Sequence, residues 1–405
     1  MRTLVYFLFF FSYSISAQSL DQCVDEMLEN NPRLLAYSKA YEVSDEQTRT
    51  QVGMGETKVS FGYFATRPQT RTGEQVAKIG ISQGFNWFGS ALLKKERSQD
   101  LSNAQYQEWI KARRLLIEGF SLRYISAQFN MKYMMLISEQ IELQKELQAN
   151  FRNVLEGSSN ESLGDLLKLD IQLNDLENQL DNAVVYQENL IKQMNVLMGR
   201  EKDAQLALSE LPEFPKELAK IEETELEVHP EILKYEALQN ALISEQELFS
   251  KQQLPDFTIG LDYIPVQAYD QTGLAGNGQD IFMPMLSMSI PVFGQKNKSK
   301  SKVLNLKQEQ LNLDKKAKYD ELDLMLEQTL MKREQAFNQL NRARQNEILY
   351  KEIVQIQYDQ LASGNGSVKN LIEEQKEIIN TGLEVQDAAL MFFQSELRLA
   401  YLIGK

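Results

Sequence analysis

Apolar and polar residues along this chain follow two different periods, and the alternation between them lays out the molecule. Val59, Phe61 and Tyr63 alternate with Lys58, Ser60 and Gly62, and Ile79, Ile81, Phe85 and Trp87 alternate with Lys78, Gly80, Ser82, Gly84 and Asn86. Farther on, Phe257, Ile259, Leu261 and Tyr263 alternate with Thr258, Gly260 and Asp262, and Leu286, Met288, Ile290 and Val292 with Ser287, Ser289 and Pro291. A period of two predicts strands, here two hairpins at 57–88 and 256–293, the first turning through the polar stretch Arg67–Gly73. Elsewhere the period is helical. Leu322, Leu326, Leu330, Phe337 and Leu340 return at three-, four- and seven-residue intervals, the seam of packed helices. Helices are predicted over about 33–52, 90–156, 164–199 and 228–254, and through 295–404, after a short one that Ser19 or Asp21 caps and Asn30-Asn31-Pro32 ends.

Lengths sharpen this outline. Residues 90–156 contain no proline, so the helix would reach about 100 Å at 1.5 Å per residue. The two shorter helices, 164–199 and 228–254, nearly match it end to end, as in a rod of one long and two stacked helices. Strands of about ten residues with one apolar and one small or polar face suit a transmembrane barrel, with lipid outside and water within. Two hairpins of a water-exposed sheet would show the same alternation. Trp87, Phe88 and Phe293 at strand ends resemble an interfacial aromatic girdle.

The chain also repeats itself. Phe88-Gly89 to Leu197-Met198-Gly199 and Phe293-Gly294 to Leu402-Ile403-Gly404 superpose at a single offset of 205 residues, with apolar positions such as Leu166/Leu371 and Met194/Leu399 coinciding. Upstream, Pro32–Tyr37 matches Pro230–Tyr235 at an offset of 198. One offset spanning helices, Phe-Gly pairs and tip loops indicates an internal duplication. The organisation expected is a leader over 1–17, a first repeat over 18–199 with helical hairpin 90–199, an equatorial linker over 200–227, and a second repeat over 228–405 with helical hairpin 295–404.

Composition narrows the possibilities. A formal net charge of −14 argues against nucleic acid, whose phosphates call for a basic surface. Arg2, the apolar run Leu4–Phe11 and the small residues Ser16-Ala17 describe a secretory signal. Cys23 is the single cysteine; it lacks the small residues that precede a lipid-attachment cysteine and reads as a buried apolar side chain. His229 is the single histidine and stands at a helix boundary, where the first repeat has Asn31. Met131, Met134 and Met135 read as helix packing. No phosphate loop, no Ser/His/Asp set and no metal-ligand spacing is present, so neither an enzyme nor a cofactor is expected.

Together, the Asn-Asn-Pro helix boundary, the strand ending in Phe293-Gly294, the two small polar tips followed by Asp165-Leu166-Leu167 and Asn370-Leu371-Ile372, and the closing Leu-x-Gly of each repeat give a sequence that resembles the TolC-type outer-membrane factor family of efflux and secretion channels. The resemblance covers essentially Ser19–Lys405. It implies a mainly α protein with a β-barrel part: a homotrimer whose four strands per chain close a twelve-stranded barrel in outer-membrane lipid, above a helical tunnel through the periplasm. The implied partners are a periplasmic membrane-fusion (adaptor) protein and an inner-membrane pump. The barrel count also follows from physics, because four strands cannot close and lipid does not tolerate unpaired edges. Eight strands would be filled by side chains, whereas twelve leave a lumen. The competing class is a soluble periplasmic coiled-coil scaffold carrying two hairpins.

Site expectations follow. The tips Gly157, Ser158, Ser159 and Gly364, Asn365, Gly366 are small enough to dock an adaptor through backbone. At the periplasmic entrance the chain departs from relatives that carry a locking arginine and paired aspartates; it offers Lys369, Asp165, Glu373 and Glu374. Glu373 and Glu374 read equally as an ion-selective ring or a solvated helix face. Lys296, Lys298, Lys300 and Lys302 oppose the dipole of the helix they begin and call for a compensating partner. With Lys94, Lys95 and Arg97 they form either a basic collar against inner-leaflet phosphates or a solvated charge run.

Overall fold

A computed structural model of the chain describes residues 17–51, 56–85, 87–155, 160–209, 214–221, 226–270, 273, 275–290, 294–363 and 367–404. Most of the leader, Phe293 and the tip residues Gly157, Ser158, Ser159, Gly364, Asn365 and Gly366 lie outside the described residues.

Helix α1 (Leu20–Asn30) opens on a capping box, in which Ser19 Oγ accepts the Gln22 N–H and Gln22 Oε1 accepts the Ser19 N–H. Asn31 then serves two elements. Its Oδ1 accepts the N–H groups of Arg33 and Leu34, starting α2 (Pro32–Thr50), where proline loses no needed donor. Its Nδ2 donates to the Leu197 carbonyl at 2.8 Å. Strands β1 (Thr57–Tyr63), β2 (Gln69–Thr70), β3 (Gly73–Gln75) and β4 (Ala77–Phe85) follow. Gly89, at φ 79°, turns the chain into α3 (Ser90–Leu155), 66 residues long, and α4 (Asn160–Leu197) returns. The second half brings α5 (Pro230–Lys251), β5 (Asp256–Ile264), β6 (Val266–Gln267), β7 (Ile281–Ser289), α6 (Gly294–Ala362) of 69 residues, and α7 (Val368–Ile403). Gly199 and Gly404 follow α4 and α7 with φ of 74° and 75°, the left-handed conformation that glycine adopts without steric cost.

The chain divides into two compact units. One contains the segments ending at Ala36, Lys111–His229 and from Asp320 onward. Its core packs Cys23 and Met27 of α1 against Phe120 and Tyr124 of α3 and Leu190 and Met194 of α4. Farther along, Leu147, Leu169, Val354 and Leu371 bring α3, α4, α6 and α7 into one cluster. The predicted seam is partly enclosed, with Leu322 and Leu340 almost fully buried. Met134 is half-buried, whereas Met131 and Met135 are exposed, so among the described residues the packing expected of these two is absent.

Residues 200–209 are held by side chains. The Tyr124 hydroxyl donates to the Gln18 carbonyl at 2.7 Å and accepts the Ser209 N–H at 3.0 Å. Arg200 pairs with Glu26. Phe214 lies among Phe129, Phe392 and Phe393, with the Arg344 guanidinium 4.5 Å above its ring. Arg333, 6% exposed, pairs with Glu396 of α7 and donates to the Ala219 carbonyl at 2.9 Å.

The second unit contains Tyr37–Ile110 and Pro230–Tyr319. Its main sheet is antiparallel in the order β1-β4-β5-β7, so both hairpins join through β4 and β5. The stretch 67–73, expected as a plain polar turn, contributes to a second sheet ordered β2-β3-β6, which stitches the two hairpin loops together. Strand β7 starts at Ile281, earlier than the alternation suggested, and contains Pro284. Proline fits there because β7 is an edge strand.

Candidate functional site

The register of the main sheet sorts its side chains into two faces. Val59, Ile81, Leu261 and Pro284 form one cross-strand row, and Phe61, Ile79, Tyr263 and Phe282 the next. All lie on the same face, and they are open rather than covered by helices: Phe61 and Leu286 are each 73% exposed. Aromatic rings mark both ends of this apolar face. Tyr263 meets Phe282 at a centroid distance of 5.1 Å at one end. At the other, Trp87 stacks on Phe257 at 6.1 Å and Phe88 is 91% exposed. Bare apolar side chains between aromatic belts, interrupted at one sheet edge by Thr57 and Gln83, match what lipid requires of a barrel exterior.

The opposite face carries Lys58, Ser60, Lys78, Gly80, Ser82, Thr258, Gly260 and Asp262. Asp262 is only 2% exposed and ion-paired with Lys78, a diagonal bond between the two hairpins. Gly80 lies beneath that carboxylate; a Cβ there would collide with Asp262 Oδ1 and Ser60 Oγ. Sequence reading did not find this pair, since the register joining β4 to β5 is not local information. The length of the alternation and the acid at Asp262 were the available signals.

Beyond the sheet, Asp280 accepts the Tyr263 hydroxyl at 2.5 Å and the Val266 N–H at 2.9 Å. The Tyr263 bond first, and the backbone bond second, hold its carboxyl below the usual range.

Where the sheet meets the helices, Lys251 Nζ donates to the Phe88 carbonyl at 2.9 Å. Glu245 receives Arg97 at 3.3 Å and Lys300 at 3.5 Å. Lys300 is therefore the member of the lysine run that has an acid partner; among the described residues Lys296, Lys298 and Lys302 have none.

In the first unit, Glu373 is exposed and within 3.8 Å of Lys369 one turn earlier on α7, and Glu374 is half-buried. Asp165 lies in the second turn of α4. Cys23 is completely buried, as expected, and burial pushes its thiol up while Arg200 opposes the shift. His229 is 2% exposed and edge-on to Tyr401 at 5.2 Å, a packing role at a helix boundary. Glu118 receives Arg398 at 2.9 Å, yet burial still raises its carboxyl. Among the described residues no cluster of His, Cys, Asp or Glu is arranged to hold a metal, and no helix is long and apolar enough to cross a membrane.

No protein-family model and no curated protein matches the chain in sequence. Solved structures do match it in fold. The chain is similar to CusC, the subject of crystal structures on folding and transmembrane channel formation, with a TM-score of 0.78, 14% identity, and 96% of this chain and 92% of that one covered. It is similar to the CmeC outer membrane channel of Campylobacter jejuni (TM-score 0.75, 16% identity, coverage 95% and 85%). The MtrE outer membrane channel of Neisseria gonorrhoeae in its open state gives a TM-score of 0.75, 16% identity, and coverage of 95% and 88%. The chain thus has the fold of these outer-membrane channels, long helices with a small β part, which is the fold that the sequence resemblance implied.

Proposed function

We propose that three copies of this chain form a channel through the outer membrane of a Gram-negative bacterium, the exit duct of a tripartite efflux or type I secretion system. The observation that carries this reading is the exposed, register-matched apolar face on a four-stranded sheet whose edges, β1 and β7, are unpaired. A soluble scaffold would leave that face in water beside two open edges, a combination that invites aggregation. Lipid covers the face, and β7 of one copy pairing with β1 of the next satisfies both edges. The repeats, 18–199 and 228–405 about the linker 200–227, each contribute a strand pair and a long helical hairpin. The matched glycines after α4 and α7, and the boundary positions of Asn31 and His229, support that division.

Transport energy comes from an inner-membrane pump, linked by a periplasmic adaptor that docks on the tips Gly157–Ser159 and Gly364–Gly366. Purified protein added to planar lipid bilayers should give discrete conductance steps and run as a trimer in detergent. Extraction into buffer without detergent, with no conductance, would favour the scaffold.

Two further outcomes test the ends of the duct. Replacing Gly364 and Gly366 with tryptophan should abolish efflux while leaving the trimer in the membrane, because bulky rings block a backbone-level contact. Unchanged transport would move docking elsewhere. At the entrance, Asp165, Glu373 and Glu374 from three chains would concentrate negative charge. Glu373→Gln with Glu374→Gln should reduce cation selectivity, read as reversal potential, most clearly at low salt where screening is weak. An unaltered reversal potential would leave both glutamates as a solvated helix face, with Glu373 serving Lys369.

A further inference from the structure

On α3, exposure runs through a graded stripe. Phe88 just before the helix is 91% exposed, Leu92 one turn on is 58% exposed, and Lys95 in the following turn is exposed as well. Leu92 and Lys95 lie three residues apart and share one face of α3, and Phe88 precedes that helix, before the turn at Gly89. The stripe passes from aromatic to aliphatic to cationic as it leaves the sheet, the order in which a lipid bilayer passes from its acyl boundary to its headgroups. The start of α6 offers the same transition. Met288 and Ile290 are exposed and apolar, and Lys298 and Lys302 are exposed cations one turn apart on one face.

The structure also divides the basic residues by their partners. Lys300 and Arg97 are both engaged by Glu245, and Lys251 by the Phe88 carbonyl. Leu304, one turn beyond Lys300, is buried, and its carbonyl accepts Gln246 of α5, so the Lys300 side of α6 faces α5. Lys95, Lys298 and Lys302 have no carboxylate within ion-pair distance among the described residues; Lys296 has none either, but it lies one turn before Lys300, on the side of α6 that faces α5. Lys298, in the second turn of α6, gains nothing from the helix dipole, which favours anions at this end.

We infer that Lys95, Lys298 and Lys302 bind the phosphates of anionic phospholipid in the leaflet at the helical end of the barrel, whereas Lys300 with Arg97 is an internal clamp on Glu245. The inference rests on the barrel reading, from which the side facing lipid follows. Long lysine stems suit the position, since they lie along apolar surface while the ammonium reaches the headgroup plane. Replacing all cations of the run by one rule, as the sequence invites, would mix two roles.

The test uses the assembled full-length protein in nanodiscs containing spin-labelled phosphatidylglycerol or phosphatidylcholine, with the motionally restricted fraction of each label measured. Wild type should restrict phosphatidylglycerol preferentially, and the preference should fade near 1 M salt, where the Debye length is about 3 Å. Lys95→Gln, Lys298→Gln and Lys302→Gln together should remove the preference, by a factor on the order of five for each lysine lost. Lys300→Gln should keep the preference and lower the trimer melting temperature equally in neutral and anionic discs. A wild type that restricts both lipids alike, or a preference that survives high salt or the triple substitution, overturns the collar while leaving the barrel intact. A chain that enters no disc and restricts neither lipid contradicts the barrel reading itself. Should the triple variant fail to assemble, Lys298→Gln alone and the salt series on wild type decide the question by the same readout.

Discussion

Leu261→Arg is expected to abolish the trimer, while Thr258→Lys, three residues away on the same strand, leaves it assembled. The two differ only in the face they occupy. Leu261 lies in the row Val59, Ile81, Leu261, Pro284, between the aromatic belts, with its side chain open to the surroundings. An arginine near the bilayer midplane on that face costs about 2–4 kcal/mol, and the assembly carries three copies of the change. Thr258 sits between Gly84 and Ser287 on the polar face, where the neighbouring glycine leaves room for a longer chain. A lysine there stays in water, so only single-channel conductance should change. Gel-shift of the heat-resistant trimer and conductance measure the two effects. Equal loss of trimer from both substitutions would contradict the assignment of faces.

Arg333→Ala is expected to lower stability by about 3 kcal/mol, the low end for breaking a buried ion pair because Glu396 keeps some solvent access. The loss has two parts, an unpaired Glu396 carboxylate and an Ala219 carbonyl without its donor. It should show as a lower melting temperature and as earlier proteolysis within 214–221, which Arg333 fastens through that carbonyl. Arg333→Met combined with Glu396→Met removes both charges at similar volume, so it should recover much of the deficit. A double variant as unstable as Arg333→Ala would mean that packing of the arginine stem, not its charge, dominates.

Helices were legible because each carries its own boundary chemistry. The proline-free run from Ser90, the Asn31-Pro32 start and the closing glycines at 199 and 404 all act within a few residues. Strand β1 was legible for a similar reason, since its polar face is Lys58, Ser60 and Gly62. Strand β7 was legible only in part: Ile281, Phe282, Met283, Pro284 and Met285 are apolar in succession, so no period of two marks its beginning. The loop sheet β2-β3-β6 was missed because its strands are two or three residues long and pair between hairpins. The same non-locality hid the Lys78–Asp262 pair and the grouping of Lys300 and Arg97 on Glu245. Sequence patterning therefore located the membrane-facing candidates Trp87 and Phe88 and the lysine run, but partners across elements decide which lysines are available to a ligand.

The central claim is that the exposed apolar face meets lipid and the opposite face meets water. It is tested most directly by attaching an environment-sensitive fluorophore at Phe61→Cys, Leu261→Cys, Ser60→Cys and Gly260→Cys, each in a Cys23→Ser background, in reconstituted bilayers. Labels at 61 and 261 should be quenched by lipid carrying a chain-bound quencher and protected from iodide; labels at 60 and 260 should show the reverse. Quenching by iodide at all four positions, with no effect of the lipid-bound quencher, would contradict a transmembrane barrel.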